Sequence, residues 1–88
     1  MPLRPSSTTL ARRDGDDLLI LDRASGDYLG VSGAGVRMWE LLTSGLDRDA
    51  VADALLEELD VDRGTVLADL DAFVADLVAR GLVVELGS

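Results

Sequence analysis

Histidine, cysteine and lysine are all missing from this 88-residue chain. Their absence removes a Cys or His nucleophile, a thiolate or imidazole metal site, a Ser–His pair and a Schiff-base lysine. No disulfide framework can form, which fits a cytoplasmic location. No apolar run approaches the ~18 residues of a membrane span, and the start, Met1-Pro2-Leu3-Arg4-Pro5, lacks the apolar stretch of a signal peptide. Aromatic residues are down to one Trp, one Tyr and one Phe. With only carboxylates, arginines and Tyr28 left for chemistry, no constellation assembles at catalytic spacing. The chain therefore reads as a protein that is not an enzyme, with no cofactor and no metal. Asp14-Gly15-Asp16-Asp17 lacks the spacing of an EF-hand loop and reads as a turn.

What remains is apolar and acidic. Hydrophobic residues make up 48% of a chain whose formal net charge is −9. The length suits one domain with a modest core. Residues 1–13 carry Arg4, Arg12 and Arg13 and no acid, hence +3; the remainder sets five Arg against 17 acids, hence −12. Such a body repels phosphate backbones and attracts a basic partner.

The pattern along the chain alternates first and then turns helical. Thr8 to Arg13 reads as a strand, and Asp14-Gly15-Asp16 as a hairpin turn, since glycine accepts the positive φ required there. Leu18 to Leu21 is a continuous apolar run, as in a central strand buried on both faces. Asp22 to Gly26 turns the chain, and Asp27 to Val31 returns as a third strand, at the sheet edge in a meander. Ser32 is expected to cap a first helix through Val36, Trp39 and Leu42, with Gly45 at its end. Asp47 caps a second helix carrying Val51, Ala54, Leu55 and Leu59. Asp62 caps a third, on which Val66, Leu67, Leu70, Phe73, Val74, Leu77 and Val78 cover an arc of roughly 140°. Arg80 and Gly81 end it. Leu82 to Leu86 reads as a short strand or a packed tail. The fold class is α+β: three antiparallel strands followed by three helices in one domain over 8–86, with 1–7 expected to be mobile.

Two features point to a binding partner. Natural edge strands are usually blunted by Lys, Pro or bulges, yet Asp27–Val31 has no Lys, no Pro and one charge, at its first residue. It is open to strand addition, and Gly30 removes a side chain where another backbone could approach. The arc on the third helix is also wider than a small helical layer needs.

The run "LDRASGDYLGVSGAGVRMWELL", then "AVADALLEEL" and a third helix closing on "LVARGLV", resembles the PqqD family, also called RiPP recognition elements. The most telling parts are Gly26, Tyr28 and Val31 in the third strand and Trp39 to Leu42 in the first helix. The resemblance spans residues 8 to 86. It implies a winged-helix-like fold and a non-catalytic domain that binds the leader region of a ribosomally made precursor peptide. The leader would add as a strand beside the third helix, touching Asp27, Tyr28, Leu29, Gly30, Val31, Leu67, Leu70, Asp71, Val74 and Leu77. The small, acidic form is most similar to the stand-alone lasso-peptide type, which works with a separate leader peptidase and an ATP-dependent cyclase. A basic leader suits the acidic body, and Asp71, bordering the apolar arc, could meet its Lys or Arg.

Other functions make different demands. A winged-helix DNA regulator needs a basic recognition helix, whereas the third helix sets Asp62, Asp69, Asp71 and Asp76 against Arg63 and Arg80. A carrier protein needs an Asp-Ser-Leu-type attachment serine, and Ser25, Ser32 and Ser44 all lack that context. A generic interaction or dimerisation module stays open, because an open edge strand also pairs with itself.

Overall fold

The structure, a computed structural model, describes residues 3–85. Strands β1 (Leu3–Pro5), β2 (Thr9–Asp14), β3 (Asp17–Asp22) and β4 (Tyr28–Val31) precede helices α1 (Ala34–Thr43), α2 (Arg48–Glu58) and α3 (Arg63–Ala79), and β5 (Val83–Glu85) closes the described chain. The main sheet is antiparallel in the order β2-β3-β4, and β1 pairs antiparallel with β5 as a separate two-stranded sheet. The molecule is a slab of 37 × 35 × 18 Å, thin enough for one sheet layer and one helix layer.

Local chemistry accounts for the boundaries. Gly15 takes φ 64 in the β2–β3 turn and, among the described residues, no non-glycine has positive φ, the pattern of a II′ hairpin. Asp47 and Asp62 cap α2 and α3 by accepting from the N–H groups of Ala50 and Thr65. Gly45 and Gly81 follow the ends of α1 and α3 with positive φ. The expected Ser32 cap is corrected: the N-cap of α1 is Gly33, at φ 58, with no side-chain hydrogen bond. A left-handed backbone there turns the chain from strand to helix without help from a hydroxyl.

β3 is central, as expected, but its two faces differ. Leu18 and Ile20 are buried while Leu19 and Leu21 are half-buried, because the helices cover only one side. The core joins that inner face, with Val31, to Val36, Trp39 and Leu42 of α1, Val51 and Leu55 of α2, and Val66, Leu70 and Leu77 of α3.

The N-terminal segment departs from expectation. From Leu3 on, residues 3–7 belong to the fold rather than to a mobile tail: Leu3 is buried and opposite Glu85, and Pro5 is opposite Val83. The Ser6 N–H donates to the Leu82 carbonyl at 3.0 Å, which also accepts from the Thr9 hydroxyl at 2.9 Å. Leu3, between Pro2 and Arg4, has no periodicity to reveal it. Met1, Pro2 and Leu86 lie outside the described residues.

Candidate peptide-binding site

Among the described residues, nothing pairs with the outer edge of β4. Which of its groups face that edge follows from the ladder. The register places Tyr28 opposite Leu21, Leu29 opposite Ile20, Gly30 opposite Leu19 and Val31 opposite Leu18. The Asp22 N–H donates to the Asp27 carbonyl at 2.8 Å. Hydrogen-bonded and non-bonded pairs alternate in an antiparallel ladder, so Leu29 and Val31 also bond inward to β3. The N–H and C=O groups of Tyr28 and Gly30 point outward. The free edge therefore offers two donors and two acceptors, separated by one residue.

Side chains alternate with the same two-residue period. Leu29 and Val31 lie on the inner face, half-buried and buried; Tyr28, 64% exposed, and Gly30 lie on the outer face. Asp27 precedes the strand, its N–H donating to the Ser25 hydroxyl at 3.1 Å, so it closes the loop before β4. Asp22 holds the same loop: its carboxylate accepts from the Thr8 and Ser25 hydroxyls and the Ala24 N–H. The Thr8 bond above all keeps its pKa below the usual carboxylate range.

The expected α3 residues fall into different surroundings. Leu70 and Leu77 are fully buried core residues, while Leu67 and Val74 are half-buried beside the core. Asp71 is exposed, and both its oxygens accept from the Arg48 guanidinium at 2.7 Å. Those bonds hold its pKa low and raise that of Arg48. A basic peptide residue would have to compete with Arg48 for it.

Two cavities take in some of these residues, Leu70, Asp71 and Val74 in one and Gly30 and Val31 in the other. One, of about 280 Å³, is lined by Leu3, Leu42, Leu70, Val74 and Ala75, with the Arg48–Asp71 pair in its wall. The other, of about 260 Å³, lies between the β2–β3 hairpin and the end of β4, lined by Gly30, Val31 and Ser32 with Asp14, Asp17, Leu18 and Leu19. Neither joins β4 to α3. Sequence reasoning missed Leu3, Leu42 and Arg48 as neighbours of the α3 residues. Arg48 and Asp71 stand 23 positions apart, so no local spacing signals their pairing.

Among the described residues no group of carboxylates is placed to hold a metal ion, and no helix is long and apolar enough to cross a membrane.

Comparison with known proteins gives a family and a fold. The family model described as coenzyme PQQ synthesis protein D (PqqD) matches residues 17–83. The solved structure of TbiB1 in complex with the TbiA(beta) leader peptide is similar at a TM-score of 0.87 and 29% identity, covering 97% of this chain and 99% of that one. A lasso peptide synthetase B1 complexed with its leader peptide shares the fold at a TM-score of 0.89 and 22% identity, covering 97% and 100%. No curated protein matches significantly. The family match starts at the first residue of β3 and takes in β4, all three helices and the first residue of β5. The chain belongs to the PqqD family.

Proposed function

We propose that this chain is a non-catalytic recognition element that binds the leader of a ribosomally made precursor peptide as a strand added to β4. The single observation that carries this reading is the free β4 edge, with the backbone groups of Tyr28 and Gly30 aimed away from β3. The likeness to TbiB1 bound to a leader peptide supports it, and favours lasso-peptide biosynthesis. The bound leader would be presented in the cytoplasm to a leader peptidase and a cyclase.

Magnitudes set what the peptide must bring. Four ladder bonds contribute about 2–6 kcal/mol net, and ordering a flexible peptide costs about 2–5 kcal/mol. Backbone pairing alone thus comes near zero, whereas micromolar affinity needs about 8 kcal/mol. Apolar anchors at about 1.5–3 kcal/mol each supply the remainder. Leu29 is the half-buried side chain of β4 best placed to meet them, with Leu67 and Val74 offering apolar surface on α3.

The test is fluorescence anisotropy with a labelled leader peptide from the precursor gene adjoining this one, against a scrambled control. Gly30→Pro deletes an outward N–H and leaves the β3 ladder intact, a position where edge strands tolerate proline. We expect saturable binding by the parent, and affinity about tenfold weaker or worse in Gly30→Pro with an unchanged melting temperature. Equal affinity of parent and Gly30→Pro would rule out pairing at this edge.

A further inference from the structure

Gly30 is a glycine that the chain's own fold does not require. Gly15, Gly26, Gly33, Gly45 and Gly81 occupy positive φ, which side chains rarely adopt. At Gly35 a Cβ would sit 2.7 Å from Val31 Cγ1, so the first turn of α1 needs the close approach. Of the other two described glycines, Gly64 lies in the first turn of α3, where a Cβ would make an ordinary contact at 3.7 Å with its capping Asp62; only Gly30 lies in a strand. Gly30 has no positive φ, and a Cβ built on it meets nothing within 4 Å. Its side-chain space is therefore empty. Side chains stand perpendicular to a sheet, so the missing one clears the outer face and leaves backbone approach at the edge unchanged.

Resting on the strand-addition reading above, we infer that the space over Gly30 receives one large apolar or aromatic side chain of the bound peptide. The peptide residue hydrogen-bonded opposite Gly30 shares its outer face, with Cβ about 4.5–5.5 Å from the Gly30 position. The surroundings there are apolar on one side and polar on the other: Leu19, half-buried, is opposite Gly30 on β3 and the exposed Tyr28 ring stands two residues along β4, while Ser32 and the carboxylates Asp14 and Asp17 line the same cavity. A large cross-strand side chain lying over a strand glycine covers both its backbone and its neighbours. The peptide would thus be read on both faces, with a bulky outward residue at the Gly30 position between inward-facing neighbours.

Phage-displayed random dodecapeptides selected on the full chain, on Gly30→Leu and on Gly30→Pro test this. We expect parent-selected peptides to be enriched in Phe, Tyr, Trp or Leu at one position. Gly30→Leu should select small residues there and bind a parent-selected peptide about tenfold more weakly, a difference that vanishes when that residue is replaced by Ala. Peptides that fail on Gly30→Pro yet show the same preferences on parent and Gly30→Leu would overturn this inference and leave strand addition standing. Peptides bound equally by Gly30→Pro would overturn strand addition, and the inference with it.

Discussion

Gly30 and Val31 adjoin in β4 and have opposite jobs. The Gly30 amide faces out and its side-chain position is empty; the Val31 amide bonds to β3 and its side chain is buried. Val31→Pro should therefore act on stability rather than on the free edge. It removes a ladder bond and buried apolar volume together, and we expect a loss on the order of 2–4 kcal/mol in urea unfolding. A soluble Val31→Pro protein as stable as the parent would contradict the register. That the third strand is open was legible in its lack of Lys and Pro and its single charge. Which of its amides face out was not, because both phases of a ladder share one sequence. Asp71 shows the same limit, since its acidity could be read and its engagement by Arg48 could not.

Between elements, exposed ion pairs tie the helices. The Arg37 Nε donates to both Glu58 oxygens at 2.9 and 3.0 Å, joining α1 to α2, and Arg48 and Arg63 reach from α2 and α3 to Asp71 and Asp53. Glu58 and Asp71, through their arginine partners, Asp62, capping α3, and Asp22, in its loop, all have lowered pKa values. At acid pH the unfolded chain then binds more protons than the folded one. Stability from these groups is complete above the unfolded carboxylate range, near about 4, and is lost as pH falls through the lower folded values. Unfolding followed from neutral pH downward should show this acid limb. Arg48→Gln should shift the Asp71 part of it back toward the ordinary range, and an unchanged acid limb in Arg48→Gln would refute that assignment. Asp47→Ala should cost about 0.5–2 kcal/mol of thermal stability by freeing the Ala50 N–H. The caps were legible because their signals lie within one turn. The arc on α3 was legible too, but Leu70 and Leu77 became core while Leu67 and Val74 remained half-exposed. Periodicity marks an apolar face without saying what covers each part of it.

At the scale of the whole molecule, β1 and β5 bring the two ends of the described chain together. Leu3→Ala should therefore destabilise by about 2–5 kcal/mol, as for a core residue; an effect near zero in thermal denaturation would return the segment to a loose tail. The acidic charge should also govern recognition. A basic leader should bind more weakly as salt rises, because screening shortens the reach of exposed charge to about 10 Å at 0.1 M, and duplex DNA should not compete. Leader affinity independent of salt would leave the apolar anchors as the whole of the interaction.

The amino-acid sequence by itself determined what rests on neighbours in the chain: the excluded chemistry, the acidic balance, the alternation that makes strands, and the caps and glycines that begin and end helices. Those signals act over a few bonds, and the order of β2 to β4 and of the three helices followed from them. Tertiary structure alone decided the rest. It placed Leu3 in the core, gave Asp71 to Arg48, left the outer sheet face uncovered, and turned the amides of Tyr28 and Gly30 to the free edge. Each of these joins residues distant in sequence, or depends on ladder phase, and packing in three dimensions is what selects among the pairings that one sequence allows.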